Sequence, residues 1–135
     1  MDSILTSVKK MIGVHEDDTS FDVDIILAIN SVFSILYQLG VGPKDHQFVI
    51  HGNTETWVNF MVDGNVEMVK NYVGLKVKMI FDPPTIGTLA EAYKNQIAEY
   101  EWRLNVAVET GEIGPGPDDA ELTPEQVDSL IDMLD

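Results

Sequence analysis

Apolar residues recur at helical spacing along most of this chain. In "DSILTSVKKMIG", Ile4, Leu5, Val8, Met11 and Ile12 share one face, which predicts a first helix. Ser3 or Asp2 suits its start and Gly13 its left-handed stop. From about Phe21 to Leu39 nearly every side is apolar (Ile25, Ile26, Leu27, Ile29, Val32, Phe33, Ile35, Leu36, Leu39), leaving a thin polar stripe of Asp24, Ser31 and Gln38. A helix wetted so narrowly is expected to be surrounded by other helices or by a neighbouring subunit. Thr19 or Ser20 is the expected cap, with Asp22 and Asp24 at the positive end of the helix dipole. "GVGP" ends it.

The segment 44–63 carries the weakest pattern. "QFVIH" reads as a short strand, and "NTETWVNFM" as a helical turn capped by Asn53 or Thr54 with Trp57, Phe60 and Met61 inward. "GNVEMVKNYVGLKVKMIF" then places Val66, Val69, Val73, Val77 and Ile80 on one face, with Asn65 as cap. The alternation in "LKVKMIF" fits a strand, but the longer window favours a helix. Gly74 inside it costs about 1 kcal/mol against Ala, which points to a close backbone approach. The cleanest stripe follows: Leu89, Tyr93, Ile97, Tyr100, Leu104 and Val108, opened by a Thr88–Glu91 capping box or, alternatively, by Thr85.

Between these two helices stands a corner, Phe81, Asp82, Pro83, Pro84 and Thr85. Each proline disfavours helical geometry in the residue before it, and neither donates a backbone hydrogen bond. One helix must stop near Phe81 and the next must start within a few residues. The motif fixes an angle and carries no reactive group.

After Thr110 the pattern changes again. "GEIGPGPDDAE" has the composition of a linker. "LTPEQVDSLIDMLD" returns to helical periodicity, with Thr123 as cap, Pro124 in the first turn and Val127, Leu130, Ile131 and Leu134 on one stripe. The expected organisation is therefore a mainly α domain of about four helices over 1–108, with at most a short β element, then an acidic linker over 109–122 and a short acidic docking helix over 123–135. Such a helix is marginal alone, and docking on its own body or on a neighbour are both open.

Charge sharpens this picture. The chain has 135 residues, 23 acidic and 8 basic, for a net charge of −15. Nine of the carboxylates lie from Glu109 onward, where there is no Lys or Arg. Such a surface repels nucleic-acid phosphates. The chain has no cysteine, which excludes disulfides and thiol chemistry. No uninterrupted apolar run approaches a bilayer span, and the expectation is no membrane partner. His15, His46 and His51 lack metal-ligand spacing, and a calcium loop started at Asp18 fails at Val23 and Ile29. Phosphate-loop, dinucleotide and nucleophile-elbow motifs are missing. No catalytic residue, metal or cofactor is expected. Lys70, Lys76 and Lys78 read as a solvated or ion-paired face. Glu99 and Arg103 are four apart in the favourable order. Trp102 lies off the main stripe, either widening the core face or, with Arg103, forming a candidate subunit interface.

"FDPPT", a long helix and then "EYEWRLN" together resemble the head–tail connector (adaptor, head-completion) proteins of tailed bacteriophages, with weaker likeness through "LGVGP", "FVIHG" and "ETWVNFM". The resemblance covers about residues 21–108 and leaves the tail unmatched. It implies a non-enzymatic virion protein, made in the host cytoplasm, that self-assembles into a ring, commonly dodecameric. The ring would sit beneath the portal, extend a DNA channel without binding DNA specifically, and offer a surface to the tail or a stopper protein. It also implies that a C-terminal segment, here Val127, Leu130, Ile131 and Leu134, reaches the portal. Two other readings remain open at this point: another phage assembly protein such as a tail terminator, and a helical adaptor whose acidic C-terminal helix binds a basic groove.

Overall fold

A computed structural model describes residues 3–61 and 65–111. Among them are five helices: α1 (Ile4–Ile12), α2 (Asp22–Leu39), the single turn α3 (Trp57–Phe60), α4 (Val66–Phe81) and α5 (Gly87–Glu109). The protein is thus mainly α, as the periodicity predicts. The β content among the described residues is one isolated antiparallel bridge, Ser3 to Thr56.

α1 is set by its own ends. The Ser3 hydroxyl accepts from the Thr6 N–H at 3.1 Å, and Gly13 at φ 85° closes the helix by donating to the last carbonyls. Two basic residues, Lys9 and Lys10, lie in its last turn, where the dipole favours them. Lys9 does more than that. Its side chain is only 3 % exposed, and its ammonium donates to Asp22 Oδ1 at 2.8 Å and to the Glu16 carbonyl at 3.0 Å. The first turn of α2 is thereby tied to the end of α1.

That tie accompanies a correction at the start of α2. Neither Thr19 nor Ser20 caps it. Phe21 occupies the cap position, the Thr19 carbonyl accepts from the Asp22 N–H at 3.2 Å, and the Ser20 N–H is drawn back to Asp18 Oδ1 at 3.0 Å. The Ser20 hydroxyl, and after it the Ser20 N–H, hold the Asp18 carboxyl below its ordinary range. α2 has the length and apolar content of a bilayer span. It nonetheless begins with Asp22 and Asp24, and it buries Ile25, Ile29, Val32, Phe33 and Leu36 as the central helix of the core. Its apolar surface is wider than that core: Val23 and Leu27 remain exposed.

The segment after α2 is where pattern and structure differ most. "QFVIH" forms no strand. The carboxamide of Asn30, on α2, takes the place of a partner strand: it accepts from the Ile50 N–H at 2.8 Å and donates to the Ile50 carbonyl at 2.9 Å. Burying Ile50 with both its peptide groups satisfied therefore needs no sheet. The turn α3 is capped by Thr56, not Asn53 or Thr54, because Asn59 Oδ1 accepts from the Thr56 N–H at 2.9 Å. Trp57, Phe60 and Met61 do point inward. The segment's rings make an aromatic cluster with α2: Phe33 meets Phe60 at 4.7 Å, Phe48 at 5.4 Å and Trp57 at 6.4 Å. The Trp57 indole N–H donates to Ser7 Oγ on α1 at 2.8 Å.

Glu55 fastens the turn ahead of α3, accepting from the His51 N–H at 2.8 Å. Burial works against its charged form, but the backbone N–H groups of His51, Glu55 and Gly52 outweigh it and hold the carboxyl below the ordinary 4.5. A depressed carboxyl contributes stability above its unfolded pKa and loses it as pH falls through the folded value. Glu55→Gln is therefore expected to flatten the loss of stability on the acid side of about pH 4.5. Urea midpoints compared at neutral and acid pH check this, and parallel curves for the two proteins would refute it.

α4 and α5 form an antiparallel pair. Gly74 permits the close approach that its position predicts: a Cβ there would run into the Met11 sulfur of α1. α4 buries Val69, Tyr72, Val73 and Val77 against α1 and α2, and α5 contributes Ile97, Leu104 and Ala107. α5 starts at Gly87, so neither Thr88 nor Thr85 caps it. Thr88 is already in the first turn, where Ala90 N–H bonds the Ile86 carbonyl at 3.0 Å.

Candidate functional site

The chain reverses at Asp82–Ile86. Asp82 stands at φ −150° and ψ 74°, outside helical geometry as a residue before proline must be. Its N–H still bonds the Lys78 carbonyl at 2.8 Å, and its carboxylate takes the Lys78 ammonium at 3.0 Å. α4 ends where the double proline says it must. Phe81 packs edge-on against Phe21 with ring centroids 5.5 Å apart, which sets the start of α2 beside the corner. Pro83 and Thr85 are exposed and Pro84 is half-buried.

The corner is the apex of a hairpin that outruns the core. No residue from Lys78 to Gln96 is buried. This tip nevertheless carries large apolar side chains in the open: Ile86 is 62 % exposed, Ile80 51 % and Leu89 41 %, with Phe21 exposed nearby. Periodicity places Ile80 and Leu89 on core-facing stripes, and the stripes are real. They run on past the point where α1 and α2 stop lying beneath them. The missed signal was length: two long helices cannot both be covered end to end by a nine-residue α1 and the one end of α2 near them.

Trp102 is the second surface. It is 66 % exposed, on the side of α5 away from Ile97 and Leu104, so it does not widen the core face. Arg103 is exposed too, and its guanidinium donates twice to Glu99 Oε1, at 2.9 and 3.2 Å. The corner and Trp102 are not brought together. Sixteen residues of helix, about 24 Å, separate Ile86 from Trp102. The third expected element, Val127, Leu130, Ile131 and Leu134, lies outside the described residues.

Chemistry is sparse between these surfaces. Tyr72, fully buried, donates to Glu101 Oε2 at 2.7 Å, and Lys76 lies 3.7 Å from the same oxygen. Burial, reinforced by that carboxylate, pushes the Tyr72 hydroxyl well above its ordinary 10. The linkage fastens α4 to α5. His15, His46 and His51 are exposed and lie near Asp17, Asp45 and Glu55, at 3.7, 2.7 and 3.7 Å. Among the described residues, no three His, Asp or Glu side chains converge as a metal set.

A family model described as phage connector protein matches residues 4–111. No curated protein and no solved structure matches the chain significantly. The matched stretch takes in α1 as well as the "FDPPT" and "EYEWRLN" segments, runs through the whole described fold, and stops where the acidic tail begins. A helical body that leaves Ile80, Ile86, Leu89 and Trp102 exposed suits that description, and the chain belongs to the phage connector protein family, structural components of the virion that join other phage head and tail proteins.

Proposed function

We propose that copies of this chain pack side by side into a ring between the portal and the tail, continuing the DNA channel. The observation that carries this is the uncovered hairpin tip. Large apolar side chains grouped in the open suit a protein contact, and here they lie at an apex whose direction is fixed by two prolines. A ring of more than two copies requires two different patches on each subunit, one meeting the other around the circle. The tip and the Trp102–Arg103 face are separate surfaces on one rod, which supports that arrangement. An acidic body fits a conduit past which DNA slides without being held. The portal on one side and the tail or a stopper protein on the other are the proposed neighbours. A ring of about a dozen copies, made in the host cytoplasm before joining the virion, is the form the family resemblance implies.

Electron microscopy and sedimentation velocity test the reading. Wild-type chain, alone or with its portal, is expected to form rings. Ile86→Asp with Leu89→Asp, and separately Trp102→Asp, are expected to leave helical content unchanged while abolishing or strongly reducing ring formation. Rings undiminished in both variants would remove these surfaces from the interface. A wild-type chain that stays monomeric with and without portal would remove the ring itself.

A further inference from the structure

α4 and α5 leave an open groove on each side of their contact, and the two differ in charge. One, of about 340 Å³, is lined by Lys76, Met79, Ile80, Lys94, Ile97, Ala98 and Glu101. Its floor is apolar and two ammonium groups stand on its rim. Lys76 shares Glu101 with Tyr72, whereas Lys94 has no hydrogen bond or ion pair among the described residues. An unpaired ammonium beside exposed Ile80 stands out in a chain of net charge −15. The opposite groove, bounded by Met11, Gly74, Tyr93 and Tyr100, holds a single cation, Lys78, already engaged by Asp82.

The chain itself contains the complementary ligand. In residues 123–134, Val127, Leu130, Ile131 and Leu134 recur at helical spacing in the sequence, interleaved with Glu125, Asp128 and Asp132 and with no cation. We infer that this segment docks in the groove of its own subunit, its apolar stripe on Met79, Ile80, Ile97 and Ala98 and its carboxylates toward Lys94 and Lys76. Reach permits docking on the same chain. From Ala98 at the groove to Glu109 is about 17 Å along α5. A Gly/Pro-containing segment of about 12 residues has a root-mean-square span of roughly 19 Å. A tether whose mean span matches the gap gives a millimolar effective concentration, so even a short helix that is marginal alone is held. The inference goes beyond the connector role and does not depend on ring formation.

Zero-length carbodiimide cross-linking of the full chain tests it, using ¹⁴N- and ¹⁵N-labelled chains mixed in denaturant and refolded together at low concentration. Mass spectrometry is expected to find Lys94, and to a lesser extent Lys76, joined to Glu125, Asp128 or Asp132 within chains of a single isotope. Leu130→Asp with Ile131→Asp adds carboxylates but removes the apolar contact, and is expected to lower the Lys94 yield about tenfold or more. Links carrying both isotopes would overturn docking on the same chain. Comparable yields at Lys44, on another part of the surface, or an undiminished yield in the double variant would reduce the contact to unspecific attraction and overturn it as well. Rings seen by microscopy are scored separately, so the connector reading stands or falls on its own.

Discussion

Asp22→Ala is expected to lower the stability of the fold by about 3 kcal/mol, the low end for breaking a buried ion pair from one side. The reason is the position of Lys9. Its side chain is almost wholly enclosed, while Asp22 is 25 % exposed. Removing the carboxylate leaves an ammonium in the core with the Glu16 carbonyl as its remaining acceptor among the described residues. Part of any loss comes from the helix dipole, since Asp22 lies in the first turn of α2, but that contribution is about 0.5 kcal/mol. Asp24→Ala, exposed in the same turn, measures it directly. The double variant Lys9→Met with Asp22→Ala is expected to recover most of the loss, because no charge is then stranded. Urea unfolding of wild type, Asp22→Ala, Asp24→Ala and the double variant measures each of these effects. A loss below about 1 kcal/mol in Asp22→Ala would place this pair with ordinary surface ion pairs.

Gly42→Ala is the second large effect, expected at about 3 kcal/mol or more from two sources. Gly42 sits at φ 93°, where a Cβ is strained, and an ideal Cβ there would lie 2.8 Å from two atoms of the Phe60 ring. Phe60 cannot give way: it is buried between Phe33 and Phe48, at 4.7 and 5.4 Å. Gly13 separates the two costs. It has φ 85° with open space around its missing Cβ, so Gly13→Ala carries the backbone strain alone, about 1 kcal/mol. If thermal or urea unfolding gave equal losses for Gly13→Ala and Gly42→Ala, the steric part of the argument would fail.

How much of this was legible in the sequence depended on how local each cause was. The limits of α1 follow from Ser3 and Gly13, which act on their own turn. The end of α4 follows from Pro83 and Pro84 for the same reason. The approach to Gly74 was legible because a glycine inside a helix needs an explanation. Causes distant in the chain were hidden. Nothing near "QFVIH" announces that Asn30, twenty residues before Ile50, will satisfy that peptide's groups. Lys9 looks like an ordinary terminal cation until Asp22 is brought to it. The Thr19, Ser20 and Thr88 caps failed because several polar residues stood within a turn of each boundary and tertiary contacts chose among them. Ile80 and Leu89 show a further limit: periodicity assigns a side chain to a face, but only the lengths of the neighbouring helices decide whether that face is covered.

The outer part of the α4–α5 hairpin is a cantilever. It is clamped where Tyr72 meets Glu101, propped sideways where Phe21 touches Phe81, and loaded at its free end by whatever covers Ile86 and Leu89. From Gln96 to Gly87 the beam is about 15 Å long, so a tilt of a few degrees at the clamp moves the end by about an ångström. In the proposed ring, chemically identical copies can thereby settle into slightly unequal surroundings without disturbing their cores, because the compliance resides in the beam and the shape of its end is kept by two imino acids.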